Sequence, residues 1–213
     1  IGFNSSNSNT LVNSLDIVNL GNIQTFYLAF GTRGGTFDSL HLADWRPASF
    51  DVSSMNPFSF AFNSAHIAAW NPASFTLWGL SSNRITGTFK SADIAHWRPA
   101  TFQLSDLRAG LTGLIKSEEI AAWSPGNFTA YNIEISTTIN FQHLAAWRPN
   151  TINIGNSSTS IYKVSATLDT QYVAQWDPVS FRVSTRLFSS FVPGGIANWR
   201  SANSISFGDC LMN

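Results

Sequence analysis

One set of side chains capable of metal binding or proton transfer recurs at a fixed position in this chain. Each of these side chains lies four residues before a regularly spaced tryptophan. In chain order they are His41, His66, Asp93, Glu119 and His143, and the same position then holds Tyr172 and Gly195. If the segments that carry them stack, imidazole and carboxylate groups align in one column, and both groups are common ligands of transition metals. Two carboxyl groups about 5 Å apart are also the arrangement of retaining glycosidases.

A structural role explains the carboxylates of this column more simply. Asp93 and Glu119 follow Ser91 and Ser117, which can cap a short helical turn, and the helix dipole stabilises a carboxylate in the first turn. The sequence also contains no Gly-rich phosphate loop, no Gly-x-Ser-x-Gly motif and no His-Glu-x-x-His motif. We therefore predict that the chain is not an enzyme and has no catalytic residue, no metal site and no cofactor.

Seven tryptophans define an internal repeat. An alanine lies two residues before each of them and an aliphatic residue three before, while a proline lies two after all but the last. Spacings of 25, 27, 26, 24, 29 and 23 residues separate Trp45, Trp70, Trp97, Trp123, Trp147, Trp176 and Trp199. Such periodicity is typical of repeat folds, in which each unit buries its apolar side against its neighbours.

Two strands and one helical turn are predicted in each repeat. The serines six residues before tryptophan are expected to cap the turn, and the proline ends it because proline has no N–H donor. After the proline, apolar and polar residues alternate, as in residues 49–53, which is typical of a half-buried strand. A second alternating stretch precedes the turn, as in residues 58–62 and 135–139. The predicted fold is an α/β repeat solenoid with parallel strand ladders and a short helical turn per repeat.

We predict a single solenoid domain over residues 1–213. Residues 1–10 are expected to be flexible, 11–36 to form a degenerate N-terminal capping repeat, 37–207 to contain the seven Trp-anchored repeats, and 208–213 to be a C-terminal tail. In the last repeat Ser201 replaces the proline, and the final strand is predicted to shift by one residue. Because the chain begins with Ile1, we expect a processed or excised fragment.

Alternate side chains of the strand after the proline should point away from the core and form one continuous outward face. Trp78 and Tyr131 are large aromatics among small polar residues there, and they could stack on a sugar or anchor a protein partner. The alternative is that Trp78 folds over a loop and covers the edge of the core. The predicted ligand-binding residues are Asp51, Thr76, Trp78, Gln103, Thr129, Tyr131, Asn153 and Arg182.

The residue directly after tryptophan is arginine in alternate repeats. Along the chain this position holds Arg46, Asn71, Arg98, Ser124, Arg148, Asp177 and Arg200. Stacked repeats lie about 5 Å apart, so the alternation roughly doubles the separation of the guanidinium groups and relieves their repulsion. Two interpretations remain open: hydrogen bonds from arginine to loop carbonyls, or a spaced basic stripe for an anionic partner.

The segment FNSAHIAAW at residues 62–70 resembles the Phe-Asn-x-x-Ile-x-x-Trp repeat of BspA-type leucine-rich-repeat surface proteins. The resemblance covers roughly residues 30–207. It implies a leucine-rich-repeat-like parallel solenoid and a secreted or surface-exposed adhesion protein, with related repeats in phage tail proteins. The family's Met-rich strand and acidic residues are missing here, so the resemblance supports the fold better than any ligand.

The charge balance and the hydropathy of the sequence restrict the classes of binding partner. The 12 basic and 12 acidic residues balance, which leaves no basic footprint for nucleic acid. No run of 18 apolar residues is present, so we predict no membrane insertion. We expect a non-enzymatic adhesion module, extracellular or on a cell or virion surface, that recognises a host-surface protein or glycan. The alternative is a structural subunit or spacer of an extracellular assembly, such as a phage tail fibre or surface filament, with possible self-association.

Overall fold

Two sheets of parallel strands, joined by short turns, form the protein in this computed structural model. The structure describes residues 2–5, 13–14, 23–30, 35–54, 59–79, 84–107, 110–155, 164–167, 172, 176, 178–184 and 204–208. Within these ranges no helix is long and apolar enough to cross a bilayer. The predicted repeat around Trp199, with Gly195 and Arg200, lies outside the described residues, as does Phe58.

The larger sheet, called sheet A, contains the strands that follow the Trp-x-Pro segments. All neighbouring strands in it are parallel. In spatial order its described strands are β1 (Gly2–Ser5), β2 (Thr25–Phe30), β4 (Ser49–Ser54), β6 (Ser74–Gly79), β8 (Thr101–Ser105), β10 (Asn127–Tyr131), β12 (Thr151–Gly155), β14 (Ser180–Ser184) and β15 (Ser204–Gly208).

The smaller sheet, called sheet B, contains the strands that precede the helical turns. It too is parallel throughout its described part. In spatial order its strands are β13 (Val164–Thr167), β11 (Ser136–Asn140), β9 (Leu111–Lys116), β7 (Arg84–Lys90), β5 (Ser59–Asn63) and β3 (Thr36–Asp38). Since the strands of sheets A and B alternate along most of the chain, the predicted parallel ladders are confirmed.

A short turn of helix connects a sheet B strand to the next sheet A strand. Three of these turns are 3-10 helices, η1 (Ser39–Leu42), η2 (Ser64–Ile67) and η3 (Ser91–Ile94), and a fourth is the α-helix α1 (Phe141–Trp147). Each ends at or within three residues of the tryptophan, where the following proline removes an N–H donor. The predicted helical turn is therefore confirmed in these repeats.

The two sheets differ in register. In sheet A each residue from β4 to β14 lies opposite its equivalent in the next repeat, for example Phe50 opposite Phe75. Sheet B slides by two residues at each step, so that Phe62 lies opposite Gly87. Gly87 has a φ of 123°, and a Cβ there would lie 2.0 Å from the Phe62 carbonyl oxygen. Only glycine fits this position of the ladder.

Aromatic rings stack through the core along the repeat axis. Phe50 and Phe75 have ring centroids 5.5 Å apart and planes 15° apart, and Phe102 continues the stack at 5.9 Å from Phe75. The tryptophan of each following repeat packs against the stack, with the Trp97 ring 5.2 Å from that of Phe75. All four side chains are buried. Burial of such large aromatic surfaces is the main source of stability in this arrangement.

Two expectations for the chain ends have different outcomes. Residues 2–5, predicted to be flexible with the rest of 1–10, instead form β1 and pair with β2. The predicted one-residue shift of the last strand is confirmed, because Phe181 of β14 lies opposite Ile205 of β15. The strand β2, within the predicted capping repeat, pairs in register with β4 as a regular repeat would.

The serines before the helical turns do not cap them, contrary to the sequence prediction. The caps are Asp38, Asn63 and Asn140, whose side chains accept hydrogen bonds from the backbone N–H two residues later. Each serine is instead the first residue of its turn, as Ser39 and Ser64 are, and it is buried. An acceptor on the preceding extended residue reaches the free N–H groups better than a side chain already inside the turn.

Candidate binding face

The outward side of sheet A carries the predicted ligand-binding residues in two straight columns. The first column runs through Tyr27, Asp51, Thr76, Gln103, Thr129, Asn153, Arg182 and Ser206, each opposite the next in register. The second, two residues further along each strand, includes Ser53, Trp78, Ser105, Tyr131, Gly155 and Ser184. The predicted lateral continuity of this face is confirmed.

Tyr131 is not the exposed platform that the sequence suggested. Its side chain is only 8% exposed, because the guanidinium of Arg182 lies over the ring with Cζ 4.5 Å from the centroid. Arg182 Nη2 also donates to the Tyr131 hydroxyl over 2.7 Å. The strand β12 lies between them and contributes Gly155, which pairs with Tyr131 on one side and with Ser184 on the other. The exposed cationic group of this pair is Arg182, and the tyrosine holds it.

Trp78 is partly buried and hydrogen-bonded at the edge of the face. Its indole Nε1 donates to Asp106 Oδ2 over 3.0 Å, and Asn132 Nδ2 donates to Asp106 Oδ1 over 2.8 Å. Asp106 follows β8 directly, so this arrangement agrees with the alternative in which Trp78 packs over a loop. Trp78 and Tyr131 therefore shape the face rather than project from it.

Sequence reasoning missed Asp106 and Asn132. Both lie nine residues after a tryptophan and adopt left-handed backbone conformations, with φ of 55° and 53°. Asp and Asn tolerate this region better than other non-glycine residues. Their shared position in the repeat was the available signal, and it indicates a turn whose side chains can bind each other.

Tyr27 is an exposed aromatic that the sequence analysis left in the capping repeat. It is 37% exposed and lies opposite Asp51, one strand away. Burial raises the pKa of the Asp51 carboxyl, and its Oδ1 has no hydrogen-bond partner within the described structure. An aromatic ring beside a carboxylate can stack on a sugar ring and accept from its hydroxyl groups.

The column of His and acidic residues has a structural role in the described repeats. Ser64 Oγ accepts the backbone N–H of Lys90 at 2.9 Å and donates to Asp93 Oδ2 at 2.5 Å. Ser91 bonds Glu119 in the same way, and Ser39 bonds His66 Nδ1 at 3.0 Å. Imidazole and carboxylate occupy the same place here because each can hydrogen-bond to the buried hydroxyl of the preceding repeat.

These hydrogen bonds from buried serines explain Asp93 and Glu119, which the sequence analysis attributed to the helix dipole.

The described residues contain no group of three or more His, Cys, Asp and Glu side chains placed to hold a metal ion. The serine hydroxyls themselves are buried, so they are poorly placed to attack a substrate. Each serine is instead a bridge from one repeat to the next.

The arginine after tryptophan was predicted either to donate hydrogen bonds to loop carbonyls or to form a basic stripe. Hydrogen bonds to carbonyls are present in one described repeat. Arg98 Nη1 donates to the carbonyl oxygens of Trp97 and Ala95, at 2.6 and 3.2 Å. Arg46 and Arg148 make no side-chain hydrogen bond or ion pair to other described residues. The structural interpretation is therefore confirmed for Arg98 alone.

Comparison with known proteins identifies no relative. The chain matches no family model, no curated protein and no solved structure.

Proposed function

We propose that this chain is a leucine-rich-repeat-like solenoid of the BspA type that acts as a non-enzymatic adhesion module on an extracellular, cell or virion surface. Its ligand would bind across the outward face of sheet A, through the first column and the flanking second column. The observation that carries the proposal is the in-register series of carboxyl, hydroxyl and amide side chains between Tyr27 and Arg182. Such a series offers a donor or acceptor about every 4.8 Å along one line.

The chemistry of this face favours a glycan over a protein. Protein interfaces have an apolar core with aromatic anchors, whereas Tyr27 is the sole large apolar side chain among the exposed ones described on this face. Thr76, Gln103 and Thr129 can exchange hydrogen bonds with sugar hydroxyl groups. Tyr27 would stack on a sugar ring at one end, and Arg182, fixed by Tyr131, would donate at the other.

The absence of catalysis in this proposal is supported by the use of the candidate groups. Asp93 and Glu119 accept hydrogen bonds from buried serines, so they serve the contacts between repeats. A glycosidase needs two carboxyl groups whose pKa values differ and which face a substrate. Asp93 and Glu119 instead face the buried serines of the preceding repeat.

A glycan array with matched tyrosine variants tests the proposal. The probes are the purified chain, Tyr27→Ala, Arg182→Ala, and Tyr172→Ala as control, because Tyr172 is similarly exposed at 44% but lies before a tryptophan rather than on sheet A. We expect Tyr27→Ala and Arg182→Ala each to weaken glycan binding about tenfold, and the control to bind as the parent does. Binding to proteins alone would overturn the glycan assignment, and self-association without ligand binding would favour the structural-subunit alternative.

A further inference from the structure

A second surface with unexplained charge runs along the turn between the helical segments and sheet A. We define the turn edge as the positions one before, one after and three after each tryptophan, all of which are exposed in the described repeats except the half-buried Gly126. In the described repeats these are Asp44, Arg46 and Ala48; Ala69, Asn71 and Ala73; His96, Arg98 and Ala100; Ala122, Ser124 and Gly126; and Ala146, Arg148 and Asn150. Most of these side chains are small, so an extended partner can approach the backbone closely.

The repeats are in direct contact along this edge. Ala73 N donates to the Ala48 carbonyl and Ala100 N to that of Ala73, each over 2.8 Å. The position after tryptophan is also linked between repeats, because Arg98 N donates to Asn71 Oδ1 over 2.7 Å. Residues in the same column therefore follow each other at the spacing of neighbouring strands, about 4.8 Å.

Three exposed arginines lie on this edge without carboxylate partners. Arg46, Arg98 and Arg148 form no salt bridge to any described residue, whereas Lys116 elsewhere pairs with Glu118 at 3.6 Å. Asp44 is the sole acidic side chain of the described turn edge, and it lies at one end. An unpaired row of cations in a chain of zero net charge leaves a local positive potential.

The backbone conformation at two of these arginines is energetically unfavourable. Arg46 and Arg148 have φ of 46° and 49°, in the left-handed region where glycine and asparagine are preferred. At Arg148 this is the position after α1, whose N–H bonds the Leu144 carbonyl. The same turn would be more stable with glycine, so its arginine is better explained by what the side chain does than by the turn.

The spacing of the arginines indicates the charge density of the partner. Since they occur in alternate repeats, the backbone positions of neighbouring arginines are about 10 Å apart. Each strand of double-helical DNA carries a phosphate about every 3.4 Å along the helix axis, roughly three times as densely. A polysaccharide with one acidic sugar in each disaccharide has a much closer match, because an extended disaccharide spans about two strand spacings.

We propose that the turn edge binds a linear acidic polysaccharide carrying one carboxylate per disaccharide, with Arg46, Arg98 and Arg148 each binding one carboxylate. Arginine is suited to this task because its guanidinium binds a carboxylate through two parallel hydrogen bonds. Arg98 is already oriented by its bonds to Ala95 and Trp97. This surface is distinct from the outward face of sheet A and does not depend on the function proposed for it.

The test measures binding of the full chain to fluorescent hyaluronan oligosaccharides of defined length, with neutral dextran and single-stranded DNA as comparisons. We expect Arg46→Ala, Arg98→Ala and Arg148→Ala each to weaken hyaluronan binding about threefold and the triple variant about thirtyfold. Binding should fall as salt rises, since the contacts are exposed ion pairs. Lys90→Ala, which removes an exposed cation from sheet B, is the matched control and should bind as the parent does.

A gain-of-charge variant tests the spacing directly. Ser124→Arg places a guanidinium between Arg98 and Arg148, and we expect its affinity for single-stranded DNA to rise by a larger factor than its affinity for hyaluronan. Equal loss in Lys90→Ala, equal binding to dextran, or unchanged binding in a folded triple variant would each overturn the proposal. Sedimentation of the parent as a dimer that the triple variant no longer forms would also overturn it, in favour of contact between copies.

Discussion

The guanidinium of Arg182 lies 4.5 Å from the ring centroid of Tyr131 and donates to the hydroxyl of the same side chain, although 51 residues separate the two in sequence. They belong to β14 and β10, and β12 lies between these two strands. The contact joins three repeats on the outward face of sheet A. It fixes the one exposed cation described in the first column of that face.

A double-mutant cycle measures this contact. Tyr131→Phe keeps the ring but removes the acceptor, and Arg182→Ala removes the cation. From the hydrogen bond, with discount for the exposure of Arg182, we expect a coupling free energy of about 1 kcal/mol in chemical denaturation. Additive effects of the two substitutions would show that the hydrogen bond from Arg182 to the Tyr131 hydroxyl does not form in solution.

Because the serines bridge neighbouring repeats, replacing one of them with alanine should lower the free energy of unfolding considerably. Ser64→Ala removes the acceptor of the partly buried Lys90 N–H and the donor to Asp93. We expect the free energy of unfolding to fall by about 1–3 kcal/mol, because both groups lose the buried hydroxyl that is their partner. Ser74→Ala, on the partly exposed side of β6, is the control and should change it by less than about 0.5 kcal/mol. Similar losses in both variants would argue against the bridge.

The strands could be predicted from the sequence because short stretches of residues determine them. Alternation predicted the strands at residues 49–53 and 135–139, and the parallel in-register order of sheet A then aligned the predicted face. The role of Ser64 was not readable, because the N–H that it accepts belongs to Lys90 in the next repeat. A serine before a helical turn looks like a cap when its surroundings are unknown.

The candidate site was predicted only in part, for a related reason. Period-two alternation places both Tyr131 and Arg182 on the outward side. It does not predict that the Arg182 side chain covers Tyr131 from two strands away. Tyr27 was overlooked because its repeat lacks the tryptophan and proline that align the others. Backbone register follows from sequence periodicity, whereas exposure depends on how long side chains cross neighbouring strands.

The tryptophans offer a matched pair of substitutions. Trp70 Nε1 donates to the Ala43 carbonyl over 3.0 Å, whereas the buried Trp97 Nε1 has no partner in the described structure. Both rings are buried, so Trp70→Phe and Trp97→Phe lose similar apolar area. We expect Trp70→Phe to cost about 1 kcal/mol more, which is the net contribution of its hydrogen bond. Thermal or denaturant unfolding of the two variants side by side checks the difference, and a larger loss for Trp97→Phe would contradict it.

Two glycines, one in sheet A and one in the turn before it, should differ in how much stability they lose when a methyl group is added. Gly155 has a φ of 127°, and a Cβ there would lie 1.9 Å from the Ser184 carbonyl oxygen. Gly155→Ala should therefore lower the free energy of unfolding by at least about 2 kcal/mol. At Gly126 the added Cβ would lie 3.5 Å from the Ala100 carbonyl oxygen, which is ordinary contact. Gly126→Ala should change stability by less than about 1 kcal/mol, and a comparable loss in both would exclude backbone geometry as the cause.

The Asp51 carboxyl predicts a pH-dependent difference between the parent and Asp51→Asn. Burial raises the pKa of Asp51 in the folded protein above its usual 3.8, so the folded state binds this proton more tightly than the unfolded chain does. Ionised Asp51 therefore destabilises the fold at neutral pH, and that penalty disappears as pH falls through the raised pKa toward 3.8.

Asparagine carries no charge at any of these pH values and has nearly the same shape. We expect Asp51→Asn to be more stable than the parent at pH 7, and the gap to narrow as pH approaches 3.8, in denaturant unfolding followed at several pH values. The other carboxyl groups titrate equally in both proteins and cancel in the difference. A parent that is more stable than the variant at pH 7 would mean that ionised Asp51 is favourable to the fold, in spite of its burial and its unpaired Oδ1.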